Sequence, residues 1–151
     1  LYEKIAGVVN GKEGVIDKFL GDAVLCIFEG VDSAYRAVSC GMEILASLKP
    51  FNEGNPFPGD KTVQIGIGAH FGPVILGTIG SSERMDSTVL GLTVNLAKRL
   101  EELTKPLNAE MLISDEVARQ LPKGHPIPLK YLGEISVKGS SSPLSVYEVV
   151  S

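Results

Sequence analysis

Gly14-Val15-Ile16-Asp17-Lys18-Phe19-Leu20-Gly21-Asp22-Ala23-Val24-Leu25-Cys26-Ile27-Phe28 carries two apolar runs broken at Leu20-Gly21-Asp22. Short runs of this kind, bounded by Gly and Asp, read as two strands (15–20 and 23–28) in a tight hairpin. The second run is almost wholly apolar, which predicts a central strand covered on both faces. Asp22 has two readings: its short side chain suits a turn, and at a hairpin mouth its carboxylate can hold a hard cation through oxygen. Lys18, taken alone, is a solvated strand lysine.

Outward from the hairpin the pattern continues as α+β. Leu1, Ile5, Val8 and Val9 have helical spacing, and Asn10, Gly11 and Gly14 are the expected cap and turn residues. Downstream, Asp32 or Ser33 can cap a helix with Ala37, Gly41, Ile44, Leu45 and Leu48 on one face, ended by Pro50. Residues 50–60 are a proline- and glycine-rich loop. Residues 62–69 alternate Val63, Ile65, Ile67 and Ala69 against Gly66 and Gly68, the mark of a strand with something packed very close to its second face. A turn at 70–73 leads to a partner strand at 74–79, and 80–90 reads as polar and irregular.

Leu92, Leu96, Leu100 and Leu103 then form a helical stripe. A short strand at 111–113 precedes a helix capped by Ser114 and running to 121. Strands 131–137 and 144–150 close the chain as a hairpin. One domain over residues 1–151, with a largely antiparallel sheet flanked by helices, is the architecture this order predicts.

Composition sets bounds on function. With 151 residues, 44% hydrophobic and 21% charged, this is an ordinary globular chain, and its net charge of −4 argues against a nucleic-acid partner. The longest apolar run, 23–28, is far shorter than a membrane span needs. Cys26 and Cys40 read as buried free thiols of a reducing compartment, and Gly11-Lys12 runs into Glu13 with no phosphate loop around it. His70, in a strand turn, reads as a structural residue.

Asn95 and Arg99 sit at i and i+4, about 40° apart on the helical wheel, along one edge of the leucine stripe. There they border a cleft or subunit seam, or Arg99 snorkels beside Glu101 or Glu102. Lys98, Glu101 and Glu102 are expected on the far side.

Four segments, in order, resemble the class III adenylate and guanylate cyclase catalytic domain. The opening hairpin is similar to that family's metal-binding hairpin. Ile65-Gly66-Ile67-Gly68-Ala69-His70-Phe71-Gly72-Pro73-Val74, followed by Gly77-Thr78-Ile79-Gly80, resembles its next hairpin. Gly91-Leu92-Thr93-Val94-Asn95-Leu96-Ala97-Lys98-Arg99-Leu100 resembles its catalytic helix. Val137-Lys138-Gly139 and Val146-Tyr147-Glu148-Val149 resemble its closing strands.

The resemblance implies a ferredoxin-like cyclase fold and conversion of ATP to cyclic AMP and pyrophosphate, with two Mg²⁺ or Mn²⁺ ions per site. It implies Asp22 as a metal ligand, Arg99 as the transition-state cation, Asn95 on the ribose, and Lys138 on the terminal phosphates. Lys18 and Thr88 are implied as the adenine readers, a pairing that resembles bacterial and bicarbonate-responsive soluble cyclases; animal guanylate cyclases carry glutamate in place of Lys18. A head-to-tail homodimer sharing its sites, a cytoplasmic catalytic domain and an attached upstream sensor domain are implied as well.

Two departures accompany the match. The family's first strand, with its other metal-binding aspartate, is absent before Leu1, so the chain reads as N-terminally truncated and inactive as it stands. Pro73 replaces a second phosphate-binding arginine found in some relatives. The alternatives are a non-catalytic cyclase-like regulatory domain and a guanylate cyclase.

Overall fold

The computed structural model describes residues 2–20, 23–54, 63–73, 87–137 and 141–150, with the backbone alone at 18–20 and 87–90. These fall into two compact units, one over residues 1–65 with 121–124, the other over 66–120 and 125–151.

The first unit holds α1 (Tyr2–Gly11), β1 (Val15–Leu20), β2 (Ala23–Ile27) and α2 (Ser33–Glu53). Asn10 and Gly11 stay helical, and α1 is closed instead by Glu13, whose φ of 61° takes the left-handed place usually filled by glycine. Gly14 N–H then donates back to Val9 O at 2.9 Å. β1 and β2 pair antiparallel with a bulge at Asp17, so that Lys18 lies opposite Leu25. Among the described residues β2 pairs with β1 alone and is half-buried throughout. The expected central position is therefore not met there: an apolar run provides the capacity for burial, whereas neighbouring elements supply it.

Arg36, on α2, ties the loops on either side of this hairpin together. Its guanidinium donates to Lys12 O at 3.1 Å and Val31 O at 2.9 Å, and also to the carbonyls of Glu13 and Glu29. A planar fork of five donors can satisfy several carbonyls at once. Asp32 occupies the N-cap position of α2 with φ 58°, and its side chain makes no cap hydrogen bond. Pro50 does not end α2, contrary to expectation; the helix runs on to Glu53. A proline this near the C-terminus removes only one bond of the ladder, and Asn52 pins the end, its side chain bonding Val63 N at 2.7 Å and Val63 O at 3.0 Å.

The second unit contains β3 (Ile67–Ala69), α3 (Ser87–Leu103), β4 (Met111–Ser114), α4 (Asp115–Gln120), β5 (Leu129–Ile135) and β6 (Leu144–Val149). Its sheet has the order β3-β4-β6-β5, parallel between β3 and β4 and antiparallel elsewhere. Parallel neighbours require a long crossover, and α3 lies within it. The strand expected over 62–69 is only three residues long, residue 62 and the expected strand at 74–79 lie outside the described residues, and α3 starts at Ser87, inside a stretch expected to be irregular.

α3 buries Leu96 and Leu100 against Leu112, Leu144 and Val146 of the sheet. The helix backbone comes very close at Gly68, where an added Cβ would meet Glu101 N and would lie 2.5 Å from Ala97 O and 2.8 Å from Leu100 Cβ. At Gly66 it would lie 3.0 Å from Thr104 Cβ and 3.2 Å from Glu101 O. The glycine alternation in the sequence thus reports a helix backbone lying directly on β3.

Ser114 ends β4 and caps α4, its Oγ accepting from Val117 N–H at 3.3 Å. It is fully buried and hydrogen-bonds His70 Nδ1 at 2.9 Å, the structural role expected of His70. Burial lowers the His70 pKa, opposed in part by the Glu116 carboxylate. Cys26 and Cys40 are free thiols; burial raises both, Cys40 to about 11 with Cys26 adding to the effect. No described helix is long and apolar enough to cross a membrane.

Gly68→Ala is expected to destabilise the fold by roughly 1–3 kcal/mol, because the clash is with backbone; urea denaturation at equilibrium would measure it. A second expectation concerns pH. The unfolded chain binds the His70 proton more readily than the folded one, so stability is complete above about pH 6.5 and falls as pH drops toward the depressed folded pKa. His70→Gln should remove that part of the acid loss, read from denaturation midpoints between pH 8 and 5.

Candidate functional site

The leucine stripe faces the sheet and so fixes the rotation of α3, which leaves its next edge at the rim of the core. Asn95 and Arg99 stand on that edge, both exposed. They open onto a groove of about 700 Å³, completed by Lys98 and Glu102 of α3 and by Ser136 and Val137 beyond β5. The structure thus brings Asn95 and Arg99 together as the sequence predicted. Arg99 is exposed, and among the described residues it forms no ion pair.

Lys98 and Glu102 were expected on the far side of the helix, and the structure places both in the groove. At 100° per residue they lie about 60° and about 20° from Asn95, on the side away from Arg99. All four therefore fit within an arc of about 100°. The signal was present in the spacing: 95, 98, 99 and 102 form an i, i+3, i+4, i+7 set. Ser136 and Val137 carried no such signal, since only the pairing of β5 with β6 brings the end of β5 beside α3.

The remaining expected residues are located less fully. Thr88 is in the first turn of α3 and Lys18 is in β1, each described by its backbone only. Asp22 and Lys138 lie outside the described residues; Lys138 directly follows Val137 of the groove wall in the chain. Among the described residues no group of three or more His, Cys, Asp or Glu side chains could hold a metal ion. Among the described residues the only carboxylate lining the groove is that of Glu102.

Comparison with known proteins gives a consistent picture. The adenylate and guanylate cyclase catalytic domain family matches residues 1–150. An adenylate cyclase of Anabaena cylindrica is 36% identical over 143 residues, which is 90% of this chain and 28% of the relative. Adenylate cyclase 1 of Rhizobium meliloti is 30% identical, over 99% of this chain and 23% of the relative. The chain thus spans only about a quarter of the length of these two curated relatives.

Among solved structures, a bacterial light-regulated adenylyl cyclase superposes with a TM-score of 0.77 at 25% identity, covering 98% of this chain and 42% of that one. The guanylyl cyclase Cya2 superposes with a TM-score of 0.76 at 28% identity, covering 98% and 75%. Two proteins named for different nucleotides resemble this chain almost equally, so the fold leaves the base open. With the family matched over residues 1–150 and cyclase structures superposing on nearly all of it, the chain belongs to the adenylate and guanylate cyclase catalytic-domain family.

Proposed function

We propose that this chain is the catalytic domain of an adenylate cyclase, a single domain over residues 1–151 acting in cyclic-nucleotide signalling in the cytoplasm. The observation that carries the proposal is the pairing of Asn95 and Arg99 on one edge of α3, open to a groove, in a chain whose relatives at 36% and 30% identity are named adenylate cyclases. In the reaction the ribose 3′-oxygen bonds to the α-phosphorus, the bond from that phosphorus to the β-phosphate oxygen breaks, and pyrophosphate and the 3′ proton depart.

The chain's own residues act by position and charge. Arg99 donates to the phosphate oxygens as negative charge grows on them, and Asn95 orients the ribose so that its 3′-oxygen is in line. Lys138 holds the terminal phosphates. Lys18 and Thr88 read adenine, Lys18 donating to a ring nitrogen and Thr88 accepting from the amino group. A guanine there would leave buried polar groups unpaired, which disfavours it strongly.

The family implies two divalent ions, Mg²⁺ or Mn²⁺. The described residues present no cluster to hold them; Asp22 is the ligand the sequence offers. When bound, they would neutralise charge on the attacking and leaving oxygens. We also place the site at a head-to-tail homodimer seam, since Asn95 and Arg99 are both exposed in one copy.

Full-length protein supplied with Mn²⁺ and ATP should form cyclic AMP, separable by chromatography. Arg99→Ala should lose on the order of 10²–10³ in kcat; turnover equal to wild type would remove its assigned role. A higher kcat/KM for GTP than for ATP would reverse the base assignment. Light scattering of the active protein should give a dimer mass, and a fully active monomer would contradict the shared site.

A further inference from the structure

Lys98 and Glu102 have no part in the roles set out above, yet both face the same groove as Arg99. They flank it with opposite charges, one helical turn apart at i and i+4 on α3. Lys98 is half-buried, whereas Glu102 is exposed. Neither forms an ion pair within 4.0 Å among the described residues, so the two charges are not consumed by each other.

The arrangement matters for the phosphate end of a nucleotide. Among the described residues the groove wall opposite α3 is made by Ser136 and Val137. An anion lying between these walls would meet Lys98, Arg99 and the Ser136 hydroxyl on one course, with the Glu102 carboxylate beside it. A compact ammonium attracts phosphate as a point charge, and a nearby carboxylate repels it by the same law.

We infer that Lys98 and Glu102 together set the affinity of this groove for the pyrophosphate portion of the nucleotide, Lys98 strengthening it and Glu102 weakening it. The inference rests on the cyclase reading above. It gives the pair a specific use: the groove must hold the polyphosphate for reaction and yet let pyrophosphate leave. A carboxylate at the rim limits how tightly the released product is retained.

The test is product inhibition of the full-length protein by inorganic pyrophosphate, with inhibition by adenosine, which lacks phosphate, as the control. Lys98→Ala should raise the pyrophosphate inhibition constant about tenfold, the scale of one charge-assisted contact, and Lys98→Arg should restore most of it. Glu102→Gln should lower the same constant. The adenosine constant should stay the same in all three variants. Equal changes for pyrophosphate and adenosine, no change for either, or shifts of the same sign for Lys98→Ala and Glu102→Gln would each overturn the inference. Failure of the wild-type protein to form any cyclic nucleotide would instead overturn the cyclase reading itself, so the two failures are distinguishable.

Discussion

The close approach of α3 to β3 governs the geometry of the second unit. Gly66 and Gly68 leave no side chain between strand and helix, so the backbone around Ala97, Glu101 and Thr104 rests directly on the sheet. Contact this close leaves α3 little freedom to roll or lift, because any movement opens a void or a clash in a densely packed interior. Leu96 and Leu100 then register the helix against Leu112, Leu144 and Val146. Asn95 and Arg99 inherit their positions from that registration. Their placement is a consequence of packing on the opposite edge of the same helix.

The rim of the core is also where electrostatics can act. Polar groups at the edge of an apolar contact reach solvent, yet are held by the helix that carries them. Arg99, Lys98 and Glu102 share that setting. A rigid helix carrying two cations and one carboxylate within a narrow arc makes a graded anion site, unlike a flexible loop with the same residues. By contrast, the first unit is held by polar clasps. Arg36 gathers four backbone carbonyls, and Asn52 makes a two-point clasp on Val63.

The candidate site could be read in the sequence only in part, and the limit was geometric. Asn95 and Arg99 were legible because a leucine every third or fourth residue fixes which edge of the helix is next to the core. Lys98 and Glu102, expected on the far side, lie by the same wheel within about 60° of Asn95. Ser136 and Val137 could not be found at all: their approach to α3 depends on the β5–β6 register, set by contacts distant in sequence. The family match fixes the class of domain, whereas the similarity to both adenylyl and guanylyl cyclase structures leaves the base open.

The sequence by itself determined the elements whose signals are local. Hydrophobic period placed the hairpin at 15–28, the stripe of α3 and the closing strands, and the alternation of Gly66 and Gly68 announced a close neighbour without naming it. Tertiary structure decided what local signals do not encode. Pro50 is carried inside α2, because the bonds pinning the helix end lie in Asn52 and Val63 rather than in the proline. Glu13 adopts the left-handed turn that the glycines beside it were expected to make. β3 runs parallel to β4, a relation that a strand pattern alone cannot specify because side-chain alternation is the same in either direction. The groove exists because α3 and the end of β5 meet across a sheet, and only the folded chain brings them together.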